Sequence, residues 1–244
     1  MSVGAYQIEN LLLLEQNNMN VEIHTLAWPN TDVRMLQSHS DVCRHLGLEV
    51  GYALQKTPHG EWMDNIMNNS VSDVVGFLDI DCVPTNRQVV DDAIQWAADN
   101  KSFVGIAQAS NHIPPKSHIF AAPAFFFIWR KTWKAMQRPT FSETLNGDVA
   151  ENVCYAAEMS DIRYKTMYPT HWTSEPLEGA WRLHTYGIYG IGTHFEEGVY
   201  HLYQGRLEQN VQMFVNRCDD IVKGKFTTEH MIDCRLPYHG KIVA

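Results

Sequence analysis

Two aspartates one residue apart, Asp79 and Asp81, stand at the end of the run 73–83 (DVVGFLDIDCV), whose other members are nearly all apolar. Such a run fits a strand covered on both faces, as parallel α/β sheets require. Residues two apart on a strand face the same way, so the two carboxylates can converge on one cation where the strand leaves the sheet. Unless a cation, a basic group or a shared proton compensates them, two ionised carboxylates in so poorly solvated a place repel one another. Hard oxygen ligands with no thiolate beside them suit Mg²⁺ or Mn²⁺ better than Zn²⁺, and such ions complete their shell with substrate phosphates and water. The pattern therefore points to a diphosphate ligand. The competing reading makes one acid the cap of the next helix and the other a solvated loop carboxylate.

The surrounding pattern supplies elements to position these acids. Residues 21–28 (VEIHTLAW) read as a strand, and a turn at 29–31 leads into a helix through about Leu46, capped by Thr31 or Asp32 and closed by Gly47. A second strand is expected over 48–54 and a short helix over 59–69. After the acidic run, 85–100 has the spacing of an amphipathic helix, and 103–107 reads as the next strand. This βαβαβαβ order predicts an open, mostly parallel sheet flanked by helices, with its ligand crevice at the carboxyl ends of the strands. Beyond it the order loosens into a Pro-rich loop, an aromatic strand at 125–129, a helix from about Lys131 and another opening near Asp148. Residues 181–205, dense in Gly, His and aromatics, read as a structured loop, and an amphipathic helix follows from Leu207.

At 244 residues and 45% hydrophobic content the chain can build one substantial core. We read one domain, with a first half at about 20–110, a second half at about 111–206 and a C-terminal helix and tail at about 207–244. A formal net charge of -9 gives no global attraction to phosphate backbones or anionic membranes. The five cysteines are scattered, odd in number and without CxxC spacing, which argues against a disulfide framework or a zinc cluster. With no leader pattern and no apolar span of about 20 residues, a soluble cytoplasmic protein, of bacterial or phage origin, is the expectation.

The segment FLDIDCVP resembles the Asp-x-Asp motif of GT-A fold glycosyltransferases, in the usual place after two βα units and a short helix, and the likeness spans most of the chain. It implies a GT-A-like, Rossmann-related α/β domain in which the nucleotide lies over the end of the first strand. Thr25, Ala27, Trp28 and Asn30 would then line the nucleotide pocket, Asp79 would serve metal and ribose, and Asp81 would be the more direct metal ligand. GVYHLYQGR is similar to the stretch in which such enzymes place a further ligand, here His201 with His194 as its rival, followed by an arginine, here Arg206, that neutralises the leaving diphosphate. NGDVAEN resembles the place where inverting members carry the acceptor-side base. That base is Asp148 or Glu151, since Gly-Asp-Val stands where many members show Glu-Asp. Trp172, Trp181 and Tyr186 are candidates to stack on a sugar or base, whereas Phe125, Phe126, Phe127 and Trp129 are assigned to packing.

The expected activity is Mn²⁺- or Mg²⁺-dependent transfer from a nucleoside diphosphate sugar, a UDP-sugar first among them, to a hydroxyl on a glycan, a protein or a modified DNA base. Two rivals stand beside it. One is a haloacid-dehalogenase-like phosphatase with Asp79 as nucleophile and Asp81 as acid/base, against which the seventy or so preceding residues count. The other is a non-catalytic nucleotide-sugar-binding module.

Overall fold

The computed structural model of the chain describes residues 19–110, 118–173, 179–196, 198–205 and 207–236. Its first half follows the expected order closely. Strand β1 (Val21–Ala27) leads through a turn into helix α1 (Val33–His45), where Asp32 is the cap and its carboxylate accepts from the Arg34 N–H at 2.8 Å. Strand β2 (Gly51–Leu54) and helix α2 (His59–Asn69) follow, and then β3 (Val74–Leu78), all five of whose residues are buried. Helix α3 (Arg87–Asn100) is capped by Asn86, which accepts from the Val89 N–H at 2.9 Å, and ends at Lys101 with a left-handed φ of 48°.

Strands β5 (Phe103–Ala109), β6 (Ile119–Trp129) and β7 (Lys165–Met167) complete a six-stranded sheet of order β2-β1-β3-β6-β5-β7. Five strands share one direction, and β6 alone runs against its neighbours β3 and β5. The mostly parallel α/β architecture is as expected; the inserted antiparallel strand is not. Phe125, Phe126 and Phe127 of β6 are fully buried, each contributing about 1.5–3 kcal/mol of apolar burial. Gly76 is opposite Phe127 in the ladder, and a Cβ there would run into the Phe127 ring, so this glycine makes room for the aromatic strand. Helices α4 (Arg130–Ala135) and α5 (Glu151–Met159) connect β6 to β7.

Two expectations are corrected. The run 73–83 is not one strand: it breaks after Leu78, and Cys82–Pro84 forms a separate strand, β4, in a second sheet. Residues 181–205 are not a loop but hold most of four short strands, β9 (Ala180–Leu183), β10 (Gly187–Gly190), β11 (Gly192–Phe195) and β12 (Val199–Leu202). With β8 (Pro169–Thr173) and β13 (Ile232–Asp233) these give a five-stranded sheet of order β13-β8-β11-β12-β4 and a β9–β10 hairpin. Helix α6 (Glu208–Val222) packs back on α1. All five cysteines are free and buried. Among the described residues no helix is long and apolar enough to cross a membrane.

Candidate metal centre and its cleft

Asp79 and Asp81 converge through a turn rather than through strand alternation. The Asp79 N–H still donates to the Ala124 carbonyl of β6 at 2.9 Å, the Cys82 N–H then folds back onto the Asp79 carbonyl at 2.9 Å, and Ile80 and Asp81 form the bend between. This bend carries the chain from the first sheet into the second. There Cys82 pairs with His201 and the Leu202 N–H donates to the Asp81 carbonyl at 2.8 Å. An antiparallel ladder thus delivers His201 to aspartates 120 or more positions earlier in the chain.

One ligand atom from each of Asp79, Asp81 and His201 can be chosen so that all lie within 4.8 Å of one another. Ligand atoms this close would need only small side-chain adjustments to meet on one Mg²⁺-sized cation. Both carboxylates are about a quarter exposed, at 26% and 24%, while the His201 side chain is 7% exposed. His201 Nε2 is 3.5 Å from Asp81 Oδ1, and its buried Nδ1 has no hydrogen-bond partner among the described residues. Burial pushes the Asp79 carboxyl up and the Asp81 charge adds to this, against the pull of His59 and His201. Two acids and one imidazole fit a divalent ion with a mixed oxygen and nitrogen shell.

The acids lie on the wall of a cavity of about 840 Å³. Leu26, Trp28, Asn30 and Asp32, at the end of β1 and the start of α1, form one side, and Gln204, Gly205 and Glu208 form the other. Arg34 joins the two sides at the rim, meeting Asp32 at 2.7 Å and Glu208 at 2.8 Å. Gly205 presses on the centre: a Cβ there would be 3.3 Å from Asp81 Oδ2 and 2.9 Å from the Met35 methyl. Asn210, fully buried on α6, donates to the Gln204 carbonyl at 3.0 Å and so holds this wall.

Of the residues expected to line a nucleotide pocket, Trp28 and Asn30 do line the cavity, whereas Thr25 and Ala27 are buried and do not. Strand alternation explains the difference, because Leu26 takes the cavity-facing position between them. His201, not His194, reaches the aspartates; His194 bonds Thr170 Oγ1 at 3.0 Å, packs on Phe226, and is pushed down to about 4 by burial and by the neighbouring His171. Arg206 lies outside the described residues. Asp148 and Glu151 are not among the lining residues. Helix α5 starts at Glu151, three residues after Asp148, whose Oδ1 accepts from the Val149 N–H. Glu151 is 2% exposed and committed: Oε1 accepts from His118 and Tyr155, Oε2 from Ser110 and the Asp148 N–H. Trp172 is buried against Gly190 and cannot stack on a ligand; Trp181 packs with Tyr189 and Tyr203, and Tyr186 with Tyr168. The sequence reading missed His59, which lines the cavity with Nε2 3.1 Å from Asp79 Oδ1. Only its place at a helix start was legible.

No family model matches the sequence, and no curated protein does. Solved structures resemble parts of the chain path. A197 from STIV aligns over 75% of this chain and 94% of its own, at 12% identity and a TM-score of 0.43. The glycosyltransferase GlyE of Streptococcus pneumoniae TIGR4 aligns over 61% of this chain and 45% of its own, at 14% and 0.39. A CMP:2-keto-3-deoxy-manno-octonic acid synthetase aligns over 61% and 89%, at 9% and 0.40. At such scores the assignment of function falls to the residues of the cleft.

Proposed function

We propose that this chain is a metal-dependent glycosyltransferase that takes a UDP-sugar as donor and an acceptor hydroxyl as the second substrate. The observation that carries this reading is the convergence of Asp79, Asp81 and His201, with the two aspartates on the wall of a cavity of about 840 Å³. That volume lies within the range of small-molecule sites and suits a nucleoside diphosphate sugar. The three side chains would hold Mn²⁺ or Mg²⁺, and the flat face of Trp28 with the amide of Asn30 offers stacking and hydrogen bonding to the nucleoside. A divalent ion held there would offset the charge that builds on a departing diphosphate. The acidic lining supports the same view, since Asp32, Asp79, Asp81 and Glu208 would repel a naked diphosphate.

In the reaction the acceptor oxygen bonds to the anomeric carbon as that carbon's bond to the β-phosphate oxygen breaks, and the nucleoside diphosphate leaves with the electron pair. The acceptor proton passes to a carboxylate. Glu151 is a poor choice, because all its acceptor positions are engaged inside the fold. Of the two carboxylates implied by the resemblance to GT-A enzymes, Asp148 is therefore the proposed base, although neither lines the donor cavity.

A thermal-shift screen of UDP-, GDP- and dTDP-sugars with and without Mn²⁺ tests the reading, because a ligand selective for the folded state raises its apparent stability. The expected result is stabilisation by a UDP-sugar only when Mn²⁺ is present, with UDP released on incubation. No stabilisation by any of these donors, or phosphate release from a generic aryl phosphate instead, would overturn it. UDP binding with Mn²⁺ but without hydrolysis or transfer would reduce the protein to a binding module.

A further inference from the structure

We infer that His59 is a positioning residue that fixes the Asp79 carboxylate for cation binding, a role that rests on the metal-centre reading above. The imidazole opens α2, directly after Pro58, and its ring stacks on Trp62 one turn later, with centroids 5.9 Å apart and planes at 26°. Trp62 is 3% exposed and meets Phe77 edge-on at 5.6 Å, and Phe77 lies on β3 two residues before Asp79. The stack thus ties the ring to the same strand whose end carries the carboxylate. From this seat Nε2 reaches Asp79 Oδ1 at 3.1 Å.

The consequence is geometric. A carboxylate at the end of a strand can rotate about its last torsion, and Asp81 beside it repels its charge. The 3.1 Å contact of Nε2 with Oδ1 restricts that freedom. His59 is not one of the three residues whose ligand atoms cluster within 4.8 Å, so it acts through Asp79 rather than as a further ligand. Partners that orient metal-binding carboxylates in this way are worth about 10- to 100-fold in metal affinity.

The test is Mn²⁺ binding measured by calorimetry and by loss of the free-ion electron paramagnetic resonance signal, with no donor present. His59→Phe keeps a flat ring to stack on Trp62 but has no N–H; His59→Gln places an amide N–H near the position of Nε2. The expected result is that His59→Phe weakens Mn²⁺ binding by about 10- to 100-fold, whereas His59→Gln recovers to within about 3-fold of the unaltered protein. Thermal midpoints without metal should agree for all three. Equal Mn²⁺ affinity in His59→Phe and the unaltered protein would overturn the inference and leave the metal centre intact. Equal loss in both variants would overturn the claim that a polar contact with Asp79 Oδ1 is what matters. An unaltered protein that binds no Mn²⁺ would instead overturn the metal centre, and this inference with it.

Discussion

Two clusters of acids and imidazoles sit in this molecule, and in composition they are nearly alike. One joins Asp79, Asp81, His201 and His59; the other joins Glu151, Glu158 and His118, with Ser110 and Tyr155. In the second cluster both Glu151 oxygens are fully engaged, His118 bridges Glu151 at 2.7 Å and Glu158 at 2.9 Å, and the imidazole is sandwiched on Tyr155 at 4.3 Å. Among the described residues, neither oxygen of Glu151 and neither nitrogen of His118 is left to offer a ligand. In the first, two like charges sit side by side on the wall of a cavity, and the imidazole that completes them has a buried nitrogen without a partner among the described residues. The difference teaches that acid and histidine content does not separate a binding centre from a structural knot. Unfilled hydrogen-bonding capacity, next to a space large enough for a ligand, does.

That contrast can be broken from either side. The largest expected effect comes from Asp81→Asn, which removes one of two charged ligands. Mn²⁺-dependent stabilisation should vanish and donor turnover fall by about 10²- to 10³-fold, while the metal-free thermal midpoint stays near its starting value. The mirror-image substitution, Glu151→Ala, should do the reverse. It leaves the His118 charge and the Ser110 hydroxyl without their buried acceptor and should cost about 3–5 kcal/mol of stability in denaturant titration, with Mn²⁺ affinity unchanged in the protein that remains folded.

The pH dependence of the closed knot provides a subtler test. Burial alone would raise Glu151, but hydrogen bonds from His118, Ser110, the Asp148 N–H and Tyr155 hold it below its ordinary 4.5. Its contribution is therefore present above about 4.5 and is lost as pH falls through the lower folded value. Burial would lower His118, yet its bonds to Glu151 and Glu158 hold it above its ordinary 6.5, so its contribution is complete below about 6.5 and is lost as pH rises through the higher folded value. The knot should thus stabilise the fold most between about pH 4.5 and 6.5. The gap in thermal midpoint between the unaltered protein and His118→Gln should be widest in that window and narrow on both sides. The smallest effect is expected from Gly205→Ala, whose Cβ would crowd the flexible Met35 methyl and approach Asp81 Oδ2. Mn²⁺ affinity should drop a few-fold at a stability cost of about 1 kcal/mol, read from the same titrations.

The sequence made the first half of the fold legible because its signals are local. Asp32 caps the helix it precedes, the helix at 59–69 spans the residues its pattern predicts, and the continuous burial of β3 follows from its apolar run. Non-local pairing was not legible. Ile80 is apolar, so the bend that splits β3 from β4 is hidden in the hydrophobic pattern, and the partner of β4 lies more than a hundred residues away on β12. Four strands of four residues each are too short to show a period of two, which is why 181–205 read as a loop. The same limit applies to the site. Asp79, Asp81 and His201 were named in advance, but the engagement of Glu151 by Ser110 and His118, 41 and 33 positions away, could not be read from its neighbours. Nor did anything in the spacing distinguish His59 among 12 histidines.

The proposed cation shared by Asp79, Asp81 and His201 can be looked for directly by diffraction. Crystals grown with MnCl₂ and UDP, with data collected on both sides of the manganese edge, should show an anomalous difference peak between those three side chains, about 2.2 Å from each ligand atom. Well-ordered density for the three residues with no anomalous peak among them, or with the manganese bound elsewhere on the protein, would contradict it.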